Sequence, residues 1–158
     1  MPQPQSQVSS RWSEIETTTH QDHVIKHVIG ATVLGWYVAG EAAYMLLDIG
    51  FVWTIYLDSE MNLLPQGVAI AELDADEINA IDRTELAFDA DLLLSEGRQA
   101  TGLKRFTGSP ENCLIETVEV LALDSQRRVD ILGELSTISV ETSMESGDVS
   151  IHARAKQT

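Results

Sequence analysis

The chain has 158 residues, of which 44% are hydrophobic and 22% are charged, and its formal net charge is -15. This length and apolar content suit a single domain with a sizeable core, so they oppose wholesale disorder. The negative charge opposes binding to nucleic acid or to anionic lipid, because both require clustered lysine and arginine side chains.

Residues 1–19 are predicted to form a flexible polar tail, and residues 20–158 a single folded domain. The tail is rich in proline, glutamine, serine and threonine, and it lacks the basic start and apolar centre of a secretory signal. Trp12 is the one tail residue that we expect to dock on the domain or on a partner.

The residues from Val28 to Leu57 form an almost wholly apolar block, in which Glu41 and Asp48 are the only charges. The first part of the block has about the 20 residues that a bilayer-spanning helix needs. The aromatic and β-branched residues that follow favour strands, with glycines at a bend, a bulge or a close backbone approach. We therefore predict no membrane span but two strands, Val24–Val38 and Gly50–Asp58, in a sheet with both faces covered.

The two carboxylates in this block have two interpretations. A carboxylate flanked by apolar neighbours can have a raised pKa and act as an acid, a base or a ligand anchor. The favoured interpretation is that both mark turns between strands, and that Glu41 starts a short alanine-rich helix.

Further strands are predicted from turn signals and from alternation of apolar and polar residues. They are Leu63–Leu73, Leu114–Leu123, Arg128–Leu132 and an antiparallel hairpin at 138–143 and 149–155. Pro65 delays the first of these strands because it has no N–H to donate. Residues 102–110 are the most loop-like internal stretch.

Residues 74–96 are acidic and contain two capping-like patterns, Asp74–Glu77 and Asp82–Glu85, which predict two short helices. Alternation from Leu86 to Leu94 also fits a strand, but leucine, alanine and acidic residues are weak strand formers, so we favour helix. The resulting fold class is α+β: a single domain with a curved antiparallel or mixed β-sheet and one or two short acidic helices.

Three histidines near the start of the domain are candidate metal ligands. On a helix, His20, His23 and His27 would share one face and could converge on zinc, with His152 as a remote fourth ligand. A strand would put only His23 and His27 on one face.

Residues 74–85 partly resemble a calcium-binding EF-hand loop in the spacing of their acids. Ile78 and Asn79 stand where that loop needs a ligand and a glycine, and the preceding segment is predicted as strand. We therefore expect no bound cofactor, with zinc and calcium as alternatives.

Cys113 is the only cysteine and the one candidate nucleophile. A reactive thiol needs a lowered pKa, whereas Cys113 follows acidic residues and opens an apolar strand. We predict that it is a small buried core residue. A single cysteine permits no intramolecular disulfide, which suits a cytoplasmic protein.

Aromatic residues crowd the apolar block and favour a non-enzymatic binding or interaction module. Aromatic clusters on a sheet can line a ligand pocket or a homodimer seam, and they also occur as plain core. We expect a homo-oligomer, a small apolar ligand or a basic protein partner. The predicted ligand-binding residues are Trp36, Glu41, Tyr44, Trp53 and Tyr56. The alternatives are a metal-binding protein or metal-dependent enzyme using the histidines or residues 74–85, and an acidic adaptor whose face from Asp74 to Glu96 docks on a basic protein.

Overall fold

The computed structural model describes residues 12–39, 42–56, 63–67, 80–143 and 149–155. Within these ranges the chain forms nine β-strands and two α-helices. In chain order they are β1 (Ser13–Glu14), α1 (Thr19–Val28), β2 (Thr32–Ala39), β3 (Ala42–Leu47), β4 (Phe51–Tyr56), β5 (Leu63–Gly67), α2 (Ala80–Glu96), β6 (Thr107–Leu123), β7 (Gln126–Gly133), β8 (Ser136–Ser143) and β9 (Val149–Ala155).

Eight strands form one antiparallel sheet in the order β5-β4-β3-β2-β6-β7-β8-β9, and the short β1 pairs with β6. β6 joins the two halves, because its first part pairs with β2 and its second part with β7. The register shifts between Val33 and Gly35 in β2 and between Ile115 and Thr117 in β6, and such shifts bend strands. The predicted single α+β domain with an antiparallel sheet is confirmed, and sheet outweighs helix.

The first core lies on one face of the sheet and includes buried residues from β2, β3 and β4 as well as from β6, β7 and β8. Because both halves contribute to one cluster, the sheet curves around it. Val24 and Val28 of α1, which are 1% and 0% exposed, complete this core from the side.

The second core lies on the opposite face of β2, β3 and β4 and is covered by α2 and residues 97–106. Leu86, Ala90 and Leu93 recur at helical spacing on the buried side of α2. Every residue of β3 is buried because the strand has a core on each face. The prediction of a sheet covered on both sides is therefore confirmed for the apolar block.

The predicted strand over Val24–Val38 is wrong in its first part, because α1 extends to Val28 and β2 begins only at Thr32. A capping box starts the helix: the Gln21 backbone N–H donates to Thr18 Oγ1 at 3.1 Å, and the Thr18 backbone N–H donates to Gln21 Oε1 at 2.9 Å. The apolar residues up to Val28 thus lie on a face of α1, and those from Thr32 onward lie in β2.

The short helix predicted after Glu41 is also wrong, since Ala42–Leu47 is β3. Alanine and leucine favour helix in isolation, but pairing with β2 and β4 and burial on both faces override that preference. Glu41 itself lies outside the described residues.

Helix is confirmed over residues 80–96, where α2 is a single helix of 17 residues with Asp82 in its first turn. Residues 74–79, which contain the first predicted helix start, lie outside the described residues. α1 is the shorter helix and is not markedly acidic. The loop-like stretch ends at residue 106, because β6 already begins at Thr107.

The remaining strand predictions are confirmed at Phe51–Tyr56, Leu63–Gly67, β6, β7 and the final hairpin. Residues 68–73 of the predicted return strand lie outside the described part of the chain. Neither helix among the described residues is long and apolar enough to cross a membrane.

Contacts with the sheet reach into the segment assigned to the tail from the sequence. β1 pairs with Leu121 and Ala122 of β6. The Arg128 guanidinium lies 4.6 Å from the centre of the Trp12 ring, so Trp12 docks on the domain as expected.

Candidate cation-binding cleft

An open cleft of about 380 Å³ lies where β1, α1 and the middle of β6 meet. This volume falls within the usual size of small-molecule sites, about 300 to 1,000 Å³. The lining has an aliphatic floor and a mostly acidic rim. The floor is Ile15, Ile25, Val118 and Val120, and the rim is Glu14, Glu16, Thr17, Asp22 and Glu119.

The walls of the cleft are fixed by local hydrogen bonds. The Ile15 N–H donates to the Val120 carbonyl at 2.8 Å, which holds the end of β1 on β6. The capping box at Thr18 then turns the chain into α1, and the Thr17 hydroxyl donates to Asp22 Oδ1. Ile25 follows one turn later and packs against the first core.

The cleft coincides with a gap in the strand pairing of β6. On one side of the gap, the Ile115 N–H donates to the Ala31 carbonyl at 2.8 Å. On the other side, Val120 accepts from Ile15. Among the described residues, no strand pairs with this edge of β6 between those two points. The cleft residues Val118 and Glu119 therefore lie in this unpaired stretch of the β6 edge.

The charged side chains of the lining are all carboxylates, and the described lining contains no basic residue. Like charges gathered in a concave surface focus the field and attract cations. Within the described residues, no three histidine, cysteine, aspartate or glutamate side chains come together as a metal-binding group. The arrangement is chemically suited to an organic cation, with its charge at the rim and an apolar body on the floor.

The predicted aromatic ligand-binding residues are divided between the two cores. Trp36 and Trp53 are 9% and 0% exposed and belong to the first core, where both pair with Met45 across β3. Tyr44, 0% exposed, belongs to the second core and stacks on Tyr37 with ring centres 6.2 Å apart. Strand alternation thus separates residues that are close in sequence.

The other two members of that predicted set are Tyr56 and Glu41. Tyr56 is the last residue of β4 and pairs with Ala42, while Glu41 lies outside the described residues. The buried Trp53 Nε1–H has no hydrogen-bond partner among the described residues. It is the one polar atom of that side chain and lies in an otherwise apolar core.

The three histidines lie on α1 and are exposed. Their spacing places them on one side of the helix, as predicted for the helical alternative. The His23 and His27 rings, one turn apart, have centres 4.8 Å apart. His152 is an exposed residue of β9, the outermost strand on the far side of β6.

The acidic segment that resembles a calcium loop is described only from residue 80. Arg105 Nη2 lies 2.7 Å from Asp82 Oδ1, and Arg105 Nε lies 2.6 Å from Glu85 Oε1. Both carboxylates therefore have a cationic partner within the fold. Asp74 and Asp76 lie outside the described residues.

Asp48 lies in a turn and Cys113 lies in the first core. Asp48 follows β3 in a turn, and its Oδ1 accepts from the Thr32 N–H at 2.9 Å, so its predicted role at a turn is confirmed. Cys113 is buried in the first core as predicted. Burial raises the pKa of its thiol, against a smaller lowering by the side chain of Ser136. The thiol also donates to the Ser136 backbone carbonyl at 3.8 Å.

Compared with protein-family models, curated proteins and solved structures, the chain has no significant match. Sequence reasoning missed the cleft residues, because Glu14 and Glu16 fall in a segment with the composition of a tail. The available signal was the alternation of Glu14, Ile15 and Glu16, which is typical of a strand with one wet face. Pairing of that strand with the distant β6 has no local signature.

Proposed function

We propose that this protein is a non-enzymatic binding module whose cleft takes a cationic group with an apolar body. Such a group is an alkylammonium ligand or a lysine or arginine side chain of a basic partner. The observation that carries the proposal is the lining of the cleft: four carboxylates, no basic side chain and four aliphatic residues within the part of the chain that the structure describes.

Each part of the lining has a separate energetic role. A methylene group moved from water onto an aliphatic floor gains about 0.8 kcal/mol when fully buried. A single exposed carboxylate adds little, but several of the same sign around a concavity raise the local concentration of cations. Affinity therefore depends on the charge and the alkyl chain together.

Of the ligands and partners expected from the sequence, the proposal retains the basic protein partner and replaces the small apolar ligand by a cation with an apolar body. Ile15 and Ile25 are partly buried and pack against the first core, which contains Trp36 and Trp53. A ligand on the cleft floor would extend this core outward without displacing the buried tryptophans.

The test is calorimetric titration with butylammonium and hexylammonium, with hexanol as the uncharged control. We expect hexylammonium to bind more tightly than butylammonium and hexanol to bind much more weakly. Raising the salt concentration should weaken the binding of both cations, because screening reduces their attraction to the exposed carboxylates.

Glu119→Gln should weaken hexylammonium binding, whereas Glu134→Gln, at an exposed position outside the cleft lining, should leave it unchanged. Equal binding of hexanol and hexylammonium would remove the electrostatic part of the proposal. An equal loss of hexylammonium affinity in both variants would mean that only overall charge matters. It would contradict the assignment of the binding site to the cleft.

A second candidate function is weak binding of a divalent transition metal by His23 and His27. The supporting observation is their ring separation of 4.8 Å on consecutive turns of an exposed helix face. Two histidines at this spacing on one helix face are a known zinc-binding arrangement. Because only two imidazoles are adjacent, water or a ligand from another molecule would complete the coordination.

Zinc titration followed by thermal unfolding tests this candidate. Binding to the folded state raises the melting temperature, and at one hundred times the dissociation constant the gain is about 2.7 kcal/mol. His27→Ala should abolish the shift and His152→Ala should preserve it. A shift that survives His27→Ala would assign the zinc to another site.

A further inference from the structure

The last strand in the pairing order of the sheet, β9, is regular. All seven of its residues pair with β8, from Ser136↔Ala155 to Thr142↔Val149, without a shift in register. Among the described residues no strand pairs with its other edge. An open edge of this kind presents N–H and C=O groups in the geometry that another strand requires.

The two edge strands of the sheet differ in how readily they can pair with a further strand. The opposite edge strand, β5, contains Pro65 and Gly67, and a proline removes a donor and discourages further pairing. β9 has the sequence VSIHARA, with neither proline nor glycine. Its one charged side chain is Arg154.

Burial of the inward-facing side chains decreases towards β9. Ile131 of β7 and Ile138 and Val140 of β8 are fully buried. Val149 and Ile151 of β9 pack against the same core but remain partly exposed. A further strand beside β9 would cover these side chains and continue the gradient of burial outward.

The charge of β9 indicates which partner fits. The chain carries -15 overall, yet β9 contains no carboxylate. Two copies that approach through β9 therefore place no carboxylates of this strand opposite each other, and like charges directly opposite would destabilise the pair. An antiparallel edge is also self-complementary about a twofold axis.

We propose that two copies of this chain associate by antiparallel pairing of their β9 strands, which joins their sheets into one. This inference is independent of the cleft, which lies at the opposite edge of β6. Because the monomers repel each other at long range, dimerisation strengthens as salt is added. Binding of a cation in the cleft has the opposite salt dependence.

Light scattering after size-exclusion chromatography, over a range of protein and salt concentrations, tests the proposal. The double variant His152→Glu/Arg154→Glu changes two exposed side chains of β9 and should be monomeric. A control, Ala87→Glu/Ser95→Glu/Gln99→Glu, adds the same negative charge at exposed positions on and just after α2 and should dimerise like the wild type.

Backbone hydrogen exchange provides a readout that does not depend on the variants folding equally well. Outward-facing amides of β9 should exchange more slowly in concentrated than in dilute wild-type protein. A wild type that stays monomeric at all concentrations and salt levels would overturn the proposal. So would a dimer that persists in the β9 variant, or one whose formation leaves β9 exchange unchanged.

Discussion

At the scale of single residues, Asp89 anchors α2 to the segment that covers the second core. This carboxylate is fully buried and accepts the backbone N–H groups of Lys104, Arg105 and Phe106 at 2.8, 2.5 and 2.7 Å. Three successive backbone donors on one carboxylate compensate for its removal from water. They also fix the position of Phe106 in the core.

We expect Asp89→Asn to lower the free energy of unfolding by about 3 kcal/mol, because the amide cannot accept three hydrogen bonds and turns a donor towards donors. Urea denaturation measures the loss. Asp91→Asn is the matched control on the exposed side of the same helix and should change stability by less than about 0.5 kcal/mol. Equal losses in both variants would contradict the anchoring role of Asp89.

Cys113 gives a pH prediction at the same scale. Burial raises the pKa of its thiol in the folded state above the unfolded value. The stabilising contribution is therefore complete below the ordinary thiol pKa of about 8.5 and is lost as the pH rises through the folded pKa. We expect the free energy of unfolding to fall more steeply above that pH in the wild type than in Cys113→Ala. Parallel pH profiles would show that the thiol does not ionise differentially.

At the scale of elements, Gly35 sets how closely β2, β6 and α2 approach. A Cβ atom at this position would lie 2.6 Å from the Thr107 carbonyl oxygen and 3.1 Å from Leu93 Cδ1. The register of β2 also shifts between Val33 and Gly35. The sequence interpretation of glycines in this block, as marks of a bulge or a close approach, is confirmed at this residue.

We expect Gly35→Ala to destabilise the fold by more than about 2 kcal/mol, because backbone atoms of β6 must move to admit the methyl group. Gly97→Ala is the control: its positive φ of 85° makes alanine strained, but a Cβ there meets nothing within 4 Å. That cost should be about 1 kcal/mol. The two values come from thermal or urea unfolding, and a smaller loss at Gly35 than at Gly97 would contradict the packing argument.

Local patterns predicted elements well where one signal dominated and poorly where two competed. The hairpin of β8 and β9 followed from alternation alone. At α1, an apolar run that suited a strand overlapped a capping signature, Thr18 followed three residues later by Gln21, and the cap determined the structure. At β3 a local signal predicted the wrong element: the composition favours helix, but pairing with β2 and β4 makes the segment a strand.

The candidate site was harder to predict than the fold because its parts are distant in sequence. The cleft joins residues 14–25 to residues 118–120, and only the β1–β6 pairing brings them together. The aromatic cluster had a clear local signal, yet strand alternation distributed it between two cores. The shared helix face of the histidines was predictable only on the condition that the segment was a helix.

At the scale of the whole molecule, the described part of the chain covers the first core incompletely at two places. Its partly buried side chains are Ile15 and Ile25 at the cleft and Val149, Ile151 and Ala153 on β9. The two places differ in charge, since the cleft is rimmed by carboxylates and β9 has none. This difference is the basis for proposing a cationic ligand at the cleft and a second copy of the chain at β9.

The acidic lining of the cleft predicts that its carboxylates reduce the stability of the protein when no ligand is bound. Glutamates 14, 16 and 119 line one concavity with no basic residue among its described members, so they repel one another. We expect the triple variant with glutamine at these positions to gain about 1 kcal/mol in unfolding free energy at low salt and less at high salt. The same variant should lose hexylammonium binding, a trade of stability against function.

A control that neutralises three separate carboxylates, Asp124→Asn, Glu134→Gln and Glu141→Gln, distinguishes local repulsion from overall charge. These residues lie outside the cleft lining. If the two triple variants gain equal stability, the effect comes from net charge alone. If the cleft variant is less stable than the wild type, its carboxylates support the fold, and their presence no longer argues for a ligand. A larger gain in the cleft variant, together with lost binding, is the result expected of a site maintained for a cation.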